Sequence, residues 1–198
     1  MKNYDRYRDM TAQDYDKKTL MSWFCSVPAN RKILPLLSEI KNKKILDVGL
    51  GTGFYTRSLL KNNEIVGLDR NIHLCKLPVR LYEGDATEIT KLLKNEKFDL
   101  VISMWMTDYL NPDKLSTFFA ESKKVLKPSG KLMTTIISRY GFGFVYIHLA
   151  RTVRKIDKYN YNKTEITEKL KQAGFTSIEI INLTTWLKVP CAYLTIAE

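Results

Sequence analysis

The chain has 198 residues, of which 44% are hydrophobic and 27% are charged, and this favours a single globular domain over residues 1–198. Its first residues lack the apolar run of a secretory signal, and no stretch offers the roughly 18 consecutive apolar residues of a membrane span, so we expect a cytoplasmic protein. The formal net charge of +11 favours an anionic partner without choosing among nucleic acid, membrane headgroups and phosphorylated small molecules.

Two helices are predicted before the first strand. Residues 4–25 are rich in tyrosine and charge and end in an apolar patch, while residues 29–40 repeat apolar side chains at helical spacing. Pro35 is expected near the first turn of the second helix, where proline is tolerated. We expect residues 1–40 to form a helical lid. The aromatic residues that either cover a ligand or pack in the core of this lid are Tyr7, Tyr15 and Trp23.

The stretch over residues 44–69 predicts half of a nucleotide-binding fold. A buried strand over 45–48 leads into a turn with three glycines at alternate positions. A helix with one apolar face is predicted over 54–60, and a second short strand over 64–68 ends beside Asp69. The rest of the chain is organised around this stretch.

A regular alternation of helices and strands follows. The predicted elements are a short helix at about 71–77, a strand at 79–83, a helix at about 86–94, a strand at 98–103, a helix at about 112–126, a turn at 127–130 and a strand at 131–137. Nearly continuous apolar strands separated by helices indicate a parallel sheet that is covered on both faces. Ligands of such sheets bind at the carboxyl ends of the strands.

Residues 139–163 interrupt the alternation and are predicted to form an inserted segment on the substrate side. The segment has six basic residues against one acid, and we expect a helix at about 142–158 with one apolar and one basic side. A helix over 164–172 and two closing strands at about 176–181 and 192–197 follow. With no long helix between them, these strands should form a partly antiparallel sheet edge.

The glycine turn is more specific than a generic nucleotide-binding loop. In DVGLGTG the third glycine comes one place earlier than in the GxGxxG fingerprint of dinucleotide-binding proteins. Glycines at 49, 51 and 53 let the backbone pass close to a ligand, because a Cβ would fill that space. Asp47, at the end of the strand, suits a cationic or hydroxyl-bearing ligand better than a pyrophosphate, so the pattern leans away from NAD.

Five motifs in order resemble the class I S-adenosylmethionine-dependent methyltransferases. They are ILDVGLGTG, IVGLD, YEGDATEI, FDLVISMWMTDYL and LKPSGKLMTTI, and the segment YNKTEITEKLKQAGFTSIEI also resembles the last helix and strand of that family. The similarity covers roughly residues 40–138 and 160–198. It implies a Rossmann-like α/β fold with a seven-stranded, mostly parallel sheet, helices on both faces and an antiparallel last strand.

The resemblance also implies a cofactor and the residues that bind it. The cofactor is S-adenosyl-L-methionine, and its product is S-adenosylhomocysteine. Asp69 would accept hydrogen bonds from the ribose hydroxyls, and Asp85 from the adenine amino group, although each carboxylate could instead cap a turn or helix. The full set of implied cofactor-binding residues is Asp47, Gly49, Gly51, Gly53, Asp69, Arg70, Asp85, Ala86, Ser103 and Met104.

The motifs define the acceptor less closely than they define the cofactor. A general base is optional because the sulfonium methyl is activated, and the candidates are Asp108, Tyr109 and His148. His148 is also compatible with a packed, structural histidine, and Asp108 with a helix start. The fourth-strand motif is SMWMTD, not the NPPY type of amino-methylating enzymes, and no cysteine lies there for covalent attack on a base. We expect no metal site, since the three cysteines lie far apart without ligand spacing.

Three functions remain compatible with the sequence. The leading prediction is a methyltransferase for a small-molecule acceptor, amphiphilic or anionic, with residues 139–163 forming a pocket wall or contacting an anionic membrane or lipid. The second is a methyltransferase for RNA or protein, which rests on the net charge; nucleic acid is the less favoured partner. The third is a non-catalytic protein that binds S-adenosylmethionine or serves as a scaffold. The oligomeric state is left open.

Overall fold

The computed structural model describes residues 20–198 of the chain, with side chains from residue 23 onward. Its strands are β1 (Lys44–Val48), β2 (Glu64–Asp69), β3 (Arg80–Glu83), β4 (Phe98–Ser103), β5 (Leu126–Ile137), β6 (Ile178–Thr184) and β7 (Pro190–Ala197). Its α-helices are α1 (Leu20–Ser38), α2 (Ile89–Leu93), α3 (Pro112–Val125), α4 (Phe142–Thr152) and α5 (Lys163–Gln172). Four short 3-10 segments lie between them.

The strands form one seven-stranded sheet in the order β3-β2-β1-β4-β5-β7-β6. The pairings from β3 through to β5 are all parallel, while β7 runs antiparallel to both β5 and β6. The strand order reverses beside β1, so the carboxyl ends of β1 and β4 flank the place where this type of sheet binds ligands. The predicted fold class is confirmed.

Alternate side chains of the strands supply two apolar layers, one on each face of the sheet. On one face Leu46 and Val101 pack with the helices α2, α3 and α5; on the other Ile45 and Ile102 pack with α1 and α4. Each strand therefore buries both of its faces, which explains why the strands are nearly continuous apolar runs. All three cysteines are buried and free of disulfides.

The boundary predicted between one helix ending at residue 25 and another beginning at residue 29 is wrong, and residues 1–19 lie outside the described part. A single helix runs through Pro28 and Pro35. A proline inside a helix removes one backbone hydrogen bond and costs about 3 kcal/mol. Burial of Ile33 and Leu37 on the sheet offsets that cost, because fully burying each large apolar side chain contributes roughly 1.5–3 kcal/mol. Tyr7 and Tyr15 lie outside the described residues, so the lid stays a prediction.

The helix predicted over 54–60 is also wrong. The chain forms turns and two 3-10 segments, Thr56–Ser58 and Leu60–Asn62. Their hydrogen bonds span three residues, as in the 2.9 Å bond from the amide of Leu59 to the carbonyl of Thr56. The hydroxyl of Thr56, in the first of these segments, donates a hydrogen bond to the buried carboxylate of Asp47. The helices predicted at 71–77 and 86–94 are likewise shorter, as a 3-10 turn over Ile72–Leu74 and as α2.

The inserted segment is a helix only in its first half. Helix α4 ends at Thr152, whereas the sequence predicted a helix to about residue 158. The chain then turns back, with Lys155 at a positive φ of 52°, and forms a bridge between Ser138 and Tyr161. Helix α5 begins at a capping box, in which Asn162 and Glu165 each accept from the other's backbone amide. This return brings the residues after α4 into contact with the loop that follows β4.

Candidate active site

The three glycines of the turn after β1 all have a positive φ, of 76° at Gly49, 53° at Gly51 and 78° at Gly53. Side chains other than glycine rarely adopt this conformation, so the backbone of the turn depends on the glycines. The side chain of Met106 lies so close to Gly49 that a Cβ there would be 2.5 Å from its Cγ. The side chain of Leu77 covers Gly53 in the same way. Both are flexible side chains that lie on the turn.

Asp47 is buried under the glycine turn, where its contacts are with the protein. Its Oδ2 accepts a 2.5 Å hydrogen bond from the hydroxyl of Thr56, and the residue is 3% exposed. Burial raises the pKa of Asp47 to about 7, against the lowering effect of the Thr56 hydrogen bond and with a further increase from the charge of Asp69. The structure therefore places Asp47 as a support of the turn, and its contact with a cofactor stays a prediction.

Asp69, at the end of β2, is connected to the same turn. Its Oδ2 accepts a 2.9 Å hydrogen bond from the amide of Gly51, and its Oδ1 accepts a 2.8 Å bond from the amide of Asn71. A carboxylate has about four acceptor positions, so two amide donors leave Asp69 able to accept from two ligand hydroxyls. Its position fits the ribose contact that was predicted from the sequence.

Asp85 and Arg70 form an ion pair that the sequence did not predict, although both were predicted as cofactor-binding residues. Oδ2 of Asp85 contacts a terminal nitrogen of Arg70, and both side chains are about a quarter exposed. Oδ1 accepts 2.9 Å hydrogen bonds from the amide and hydroxyl of Thr87. The neighbouring Ala86 is buried. Asp85 therefore caps a turn, which was the structural alternative for it, and its partner Arg70 directly follows Asp69 in the chain.

The loop that leaves β4 is fixed in place by β5. The amide of Trp105 donates to the hydroxyl of Thr135 at 2.6 Å, and the hydroxyl of Thr107 donates to the carbonyl of Thr135 at 2.6 Å. Ser103 and Met104, both predicted as cofactor-binding residues, are buried at the start of this loop. Oγ of Ser103 has no hydrogen-bond partner among the described residues.

Asp108 and Lys158 form a buried ion pair between this loop and the inserted segment. Asp108 is 3% exposed and Lys158 is 5% exposed, and the ammonium nitrogen contacts Oδ2 of the carboxylate. Burial alone would lower the pKa of Lys158, but the carboxylate of Asp108 raises it well above its ordinary value. The other oxygen, Oδ1, is buried and accepts no hydrogen bond within residues 23–198. The sequence predicted Asp108 as a candidate general base or a helix start but gave no role to Lys158.

Aromatic side chains surround this ion pair. The Lys158 nitrogen lies 4.0 Å from the ring centroid of Tyr109 and 5.1 Å from that of Tyr146 on α4. Such contacts stabilise a desolvated cation. On the other side of the loop, the indole nitrogen of Trp105 donates to the hydroxyl of Tyr55 at 2.5 Å. Tyr55 follows the glycine turn, so this bond connects the turn to the loop after β4.

His148 lies outside the group formed by Asp108, Lys158 and their aromatic neighbours. Its side chain is exposed on α4 and stacks on Phe144, with ring centroids 6.2 Å apart. The expectation that a histidine here would be packed is wrong, since the buried side of α4 carries Ile147 and Ala150 instead. Of the three predicted candidates for a general base, the structure brings together Asp108 and Tyr109.

The comparisons with known proteins agree with this geometry. A family model described as "Methyltransferase domain" matches residues 46–134. This range runs from β1 into β5 and contains the glycine turn, Asp69, Asp85 and Asp108. The matched part is thus the part with the predicted cofactor-binding residues.

Curated relatives of the chain include named methyltransferases. A ubiquinone biosynthesis O-methyltransferase from Pasteurella multocida is 26% identical over 172 residues, which cover 72% of this chain and 69% of the relative. A protein of Methanocaldococcus jannaschii, assigned provisionally as a protein N5-glutamine methyltransferase, is 27% identical over 174 residues, with 82% and 85% covered. Each similarity is to a methyltransferase, but the two named acceptors differ.

The solved structures contain the same fold. A Thermotoga maritima protein, described as an S-adenosylmethionine-dependent methyltransferase and possible histamine N-methyltransferase, superposes with a TM-score of 0.75 at 17% identity. The superposition covers 98% of both chains. At this identity the likeness shows the fold alone, and the family model adds the methyltransferase domain. Residues 46–134 thus match a methyltransferase domain, and the whole chain has the Rossmann-like fold of the S-adenosylmethionine-dependent methyltransferase on which it superposes.

Proposed function

We propose that the chain transfers the methyl group of S-adenosylmethionine to a small amphiphilic acceptor whose polar end meets Asp108. One observation carries this proposal. Asp108 is buried where β4 ends, with one carboxylate oxygen paired to Lys158 and the other unpartnered among the described residues. A buried acceptor atom without a donor is costly, by about 1–3 kcal/mol, so its presence favours a ligand that supplies the donor.

The loop that carries Asp108 connects the cofactor side of the site to the inserted segment. Met106 contacts Gly49 in the glycine turn, and Asp108, two residues later, contacts Lys158 in the insert. An acceptor that is bound by Asp108 would therefore lie close to a cofactor bound along the turn. Methyl transfer depends on this proximity and alignment more than on proton transfer.

The residues after β1, β2 and β3 fit the cofactor. The positive-φ glycines leave no Cβ on the turn, and Asp69 has acceptor positions for hydroxyl groups. Asp85 would accept from the adenine amino group, and Arg70 holds that carboxylate in place. The hydroxyl of Ser103, at the end of β4, has no partner among the described residues and would lie beside the methionine part of the cofactor. These assignments come from the family resemblance, and the positions of the side chains support them.

S-adenosylmethionine, when bound, would supply an activated sulfonium methyl, to which the lone pair of the acceptor would bond in line with the breaking carbon–sulfur bond, with S-adenosylhomocysteine as the leaving group. Asp108 would accept a hydrogen bond from the hydroxyl or amine of the acceptor and so turn its lone pair towards that methyl. The Lys158 ammonium fixes the carboxylate in this orientation. The proton that the acceptor loses passes through the same hydrogen bond to Asp108 or leaves to solvent.

The amphiphilic character of the acceptor is inferred from the walls of the site. Met104 is buried beside the end of β4, and the rings of Tyr109 and Tyr146 surround the ion pair, so the polar group at Asp108 has apolar neighbours. The ubiquinone biosynthesis relative acts, by its name, in the synthesis of a lipid-soluble molecule. Both observations favour an acceptor with one polar end and an apolar body, which would partition into membranes.

A protein acceptor is the second candidate, because one relative is assigned provisionally as a protein glutamine methyltransferase. This chain has SMWMTD at the end of β4, in place of an NPPY-type motif that holds a planar nitrogen. An RNA acceptor rests on the net charge of +11 alone.

None of the helices in the described part of the chain has the length and apolar character that a membrane span requires. A cytoplasmic location and the single-domain organisation stay predictions.

The proposal is tested by release of S-adenosylhomocysteine in the presence of a panel of acceptors. The panel contains an alkylated catechol, the same catechol with both hydroxyls methylated, an unalkylated catechol, a glutamine-containing peptide and a structured RNA. We expect release with the alkylated catechol, less with the unalkylated one and none with the methylated one. Release only with the peptide or the RNA would overturn the small-molecule assignment.

A further inference from the structure

Exposed apolar side chains are concentrated on one part of the surface. Ten large apolar residues are exposed in the described part of the chain, and eight of them lie on or next to α4. Those on α4 and its flanks are Tyr140 (60%), Phe144 (56%), Val145 (44%), Leu149 (39%) and Val153 (72%). The others are Trp23 (46%) on α1, and Leu187 (73%) and Val189 (37%) between β6 and β7. A contiguous exposed group of this kind marks an interaction site.

The outward side of α4 is apolar over much of its width. At 100° per residue, Phe144, Val145 and Leu149 fall within about 140° of the helix circumference. The buried residues of the helix, Ile147 and Ala150, lie on the opposite side against the sheet. Helix α4 is therefore apolar on both sides, and only the inner side is covered within the described residues.

The three groups of exposed residues adjoin one another. The rings of Phe24 on α1 and Phe142 on α4 are 4.9 Å apart. The rings of Trp23 and Trp186 are 5.7 Å apart. A Cβ on Gly141 would be 3.1 Å from Cγ1 of Val189. The start of α1, the start of α4 and the turn between β6 and β7 thus form one surface, which we name the α4 face.

The α4 face is rich in basic residues, with the exposed Asp157 at its edge. Residues 20–38, 139–156 and 182–190 contain no aspartate or glutamate. The basic residues in these three ranges are Arg31, Lys32, Arg139, Arg151, Arg154, Lys155 and Lys188. Arg139 is paired with Glu165, but Arg154, Lys155 and Lys188 have no ion pair within residues 23–198. Exposed apolar side chains and unneutralised cations therefore occupy the same face.

We propose that the α4 face docks on the surface of an anionic lipid bilayer. The cations would meet the lipid phosphates, and the apolar side chains would enter the boundary between headgroups and acyl chains. A nucleic acid would match the cations but would leave Phe144, Val145 and Leu149 without an apolar partner. A bilayer satisfies both parts of the surface.

The inference goes beyond the proposed methyl transfer and is tested without cofactor or acceptor. Docking on a bilayer would also bring the proposed methyl-transfer site close to the lipid. Tyr146 on the inner side of α4 lies beside Lys158, while the outer side of the helix would face the lipid. An acceptor dissolved in the bilayer would then be close to the site when the protein is docked. Failure of either proposal leaves the other standing.

The experiment measures sedimentation of the full chain with vesicles of phosphatidylcholine, with and without phosphatidylglycerol. We expect binding to the vesicles that contain phosphatidylglycerol, which weakens as salt is added. In Val145→Ser/Leu149→Ser, less apolar surface enters the lipid, and binding should fall by at least about tenfold. In Arg154→Gln/Lys155→Gln, it should fall by about fivefold for each charge removed. Thermal unfolding should change little, since these side chains are exposed.

Matched controls come from the same protein. Leu36→Ser removes an exposed apolar side chain from α1, about 20 Å along the helix from Trp23, and should leave binding unchanged. Lys41→Gln/Lys61→Gln removes the same charge from exposed positions elsewhere and should have at most a small effect.

Three results would overturn the proposal. The first is no binding of the full chain to anionic vesicles. The second is binding that the charge variant weakens but the Val145→Ser/Leu149→Ser variant does not, which would indicate a polyanion site. The third is self-association in the absence of vesicles that the Val145→Ser/Leu149→Ser variant abolishes, which would assign the face to a second copy of the chain.

Discussion

The ammonium of Lys158 and the carboxylate of Asp108 meet inside the protein although they are 50 residues apart in the chain. The amide of Tyr159 also donates to the carbonyl of Asp108 at 2.7 Å, so two adjacent residues of the insert contact the same residue of the β4 loop. These contacts fix the inserted segment against the end of the strand where methyl transfer is proposed. The insert would thus be part of the proposed site.

Removing one member of this pair should destabilise the protein. Lys158→Met leaves a buried carboxylate without its cation, and the expected loss in the free energy of unfolding is about 3–5 kcal/mol. Asp108→Asn/Lys158→Met removes both charges and should recover most of that loss. Urea unfolding monitored by circular dichroism measures both variants. Equal stability of Lys158→Met and the wild type would show that the pair is not formed in solution.

The same double variant separates folding from chemistry. If Asp108 orients the acceptor, Asp108→Asn/Lys158→Met should bind S-adenosylhomocysteine within about twofold of the wild type, yet transfer methyl at least about a hundredfold more slowly. Single-turnover methyl transfer and calorimetric binding provide the two measurements. Unchanged transfer in a folded double variant would exclude a role for Asp108 in the reaction.

Asp47 should make stability depend on pH. Its pKa is raised to about 7, from an unfolded value near 4, so the folded state retains a proton that the unfolded chain has released in this window. The free energy of unfolding should therefore fall as the pH rises from about 4 to about 7 and then level off. Asp47→Asn should lack this dependence and be more stable than the wild type at pH 8 by roughly 2–4 kcal/mol.

Thermal or urea unfolding of both proteins over this pH range tests the prediction. The difference between Asp47→Asn and the wild type should be small at pH 4 and should grow up to about pH 7. A difference that is the same at every pH would mean that the Asp47 carboxylate titrates alike in the folded and unfolded states.

Patterns local in sequence predicted most of the fold. The apolar run of β4 was predicted with its observed limits, Phe98 and Ser103, because a strand buried on both faces leaves little choice of boundary. The glycine spacing and Asp69 likewise indicated the turn and its carboxylate. These features depend on neighbouring residues, which the sequence displays directly.

Features that depend on distant contacts were not predicted. Lys158 belongs to a basic run, and nothing near it indicates that it is buried against Asp108. The 3-10 segments after the glycine turn were not predicted either, and Thr56 there bonds to Asp47, a contact across the turn. The apolar residues of α4 indicated a helix, but their spacing did not tell which of them would be exposed. The only indication of a partner was Asp108 itself, because a buried acid after β4 requires a cation from elsewhere in the chain.

The most direct test of the account is the binding of S-adenosylhomocysteine to Asp69→Ala, measured by calorimetry. The wild type should bind, and Asp69→Ala should bind at least about tenfold more weakly, because two hydrogen bonds to a charged acceptor are lost. Glu168→Ala, an exposed change on α5, is the matched control and should bind like the wild type. Wild-type affinity in a folded Asp69→Ala, or no binding by the wild type, would contradict the assignment of this turn as the cofactor site.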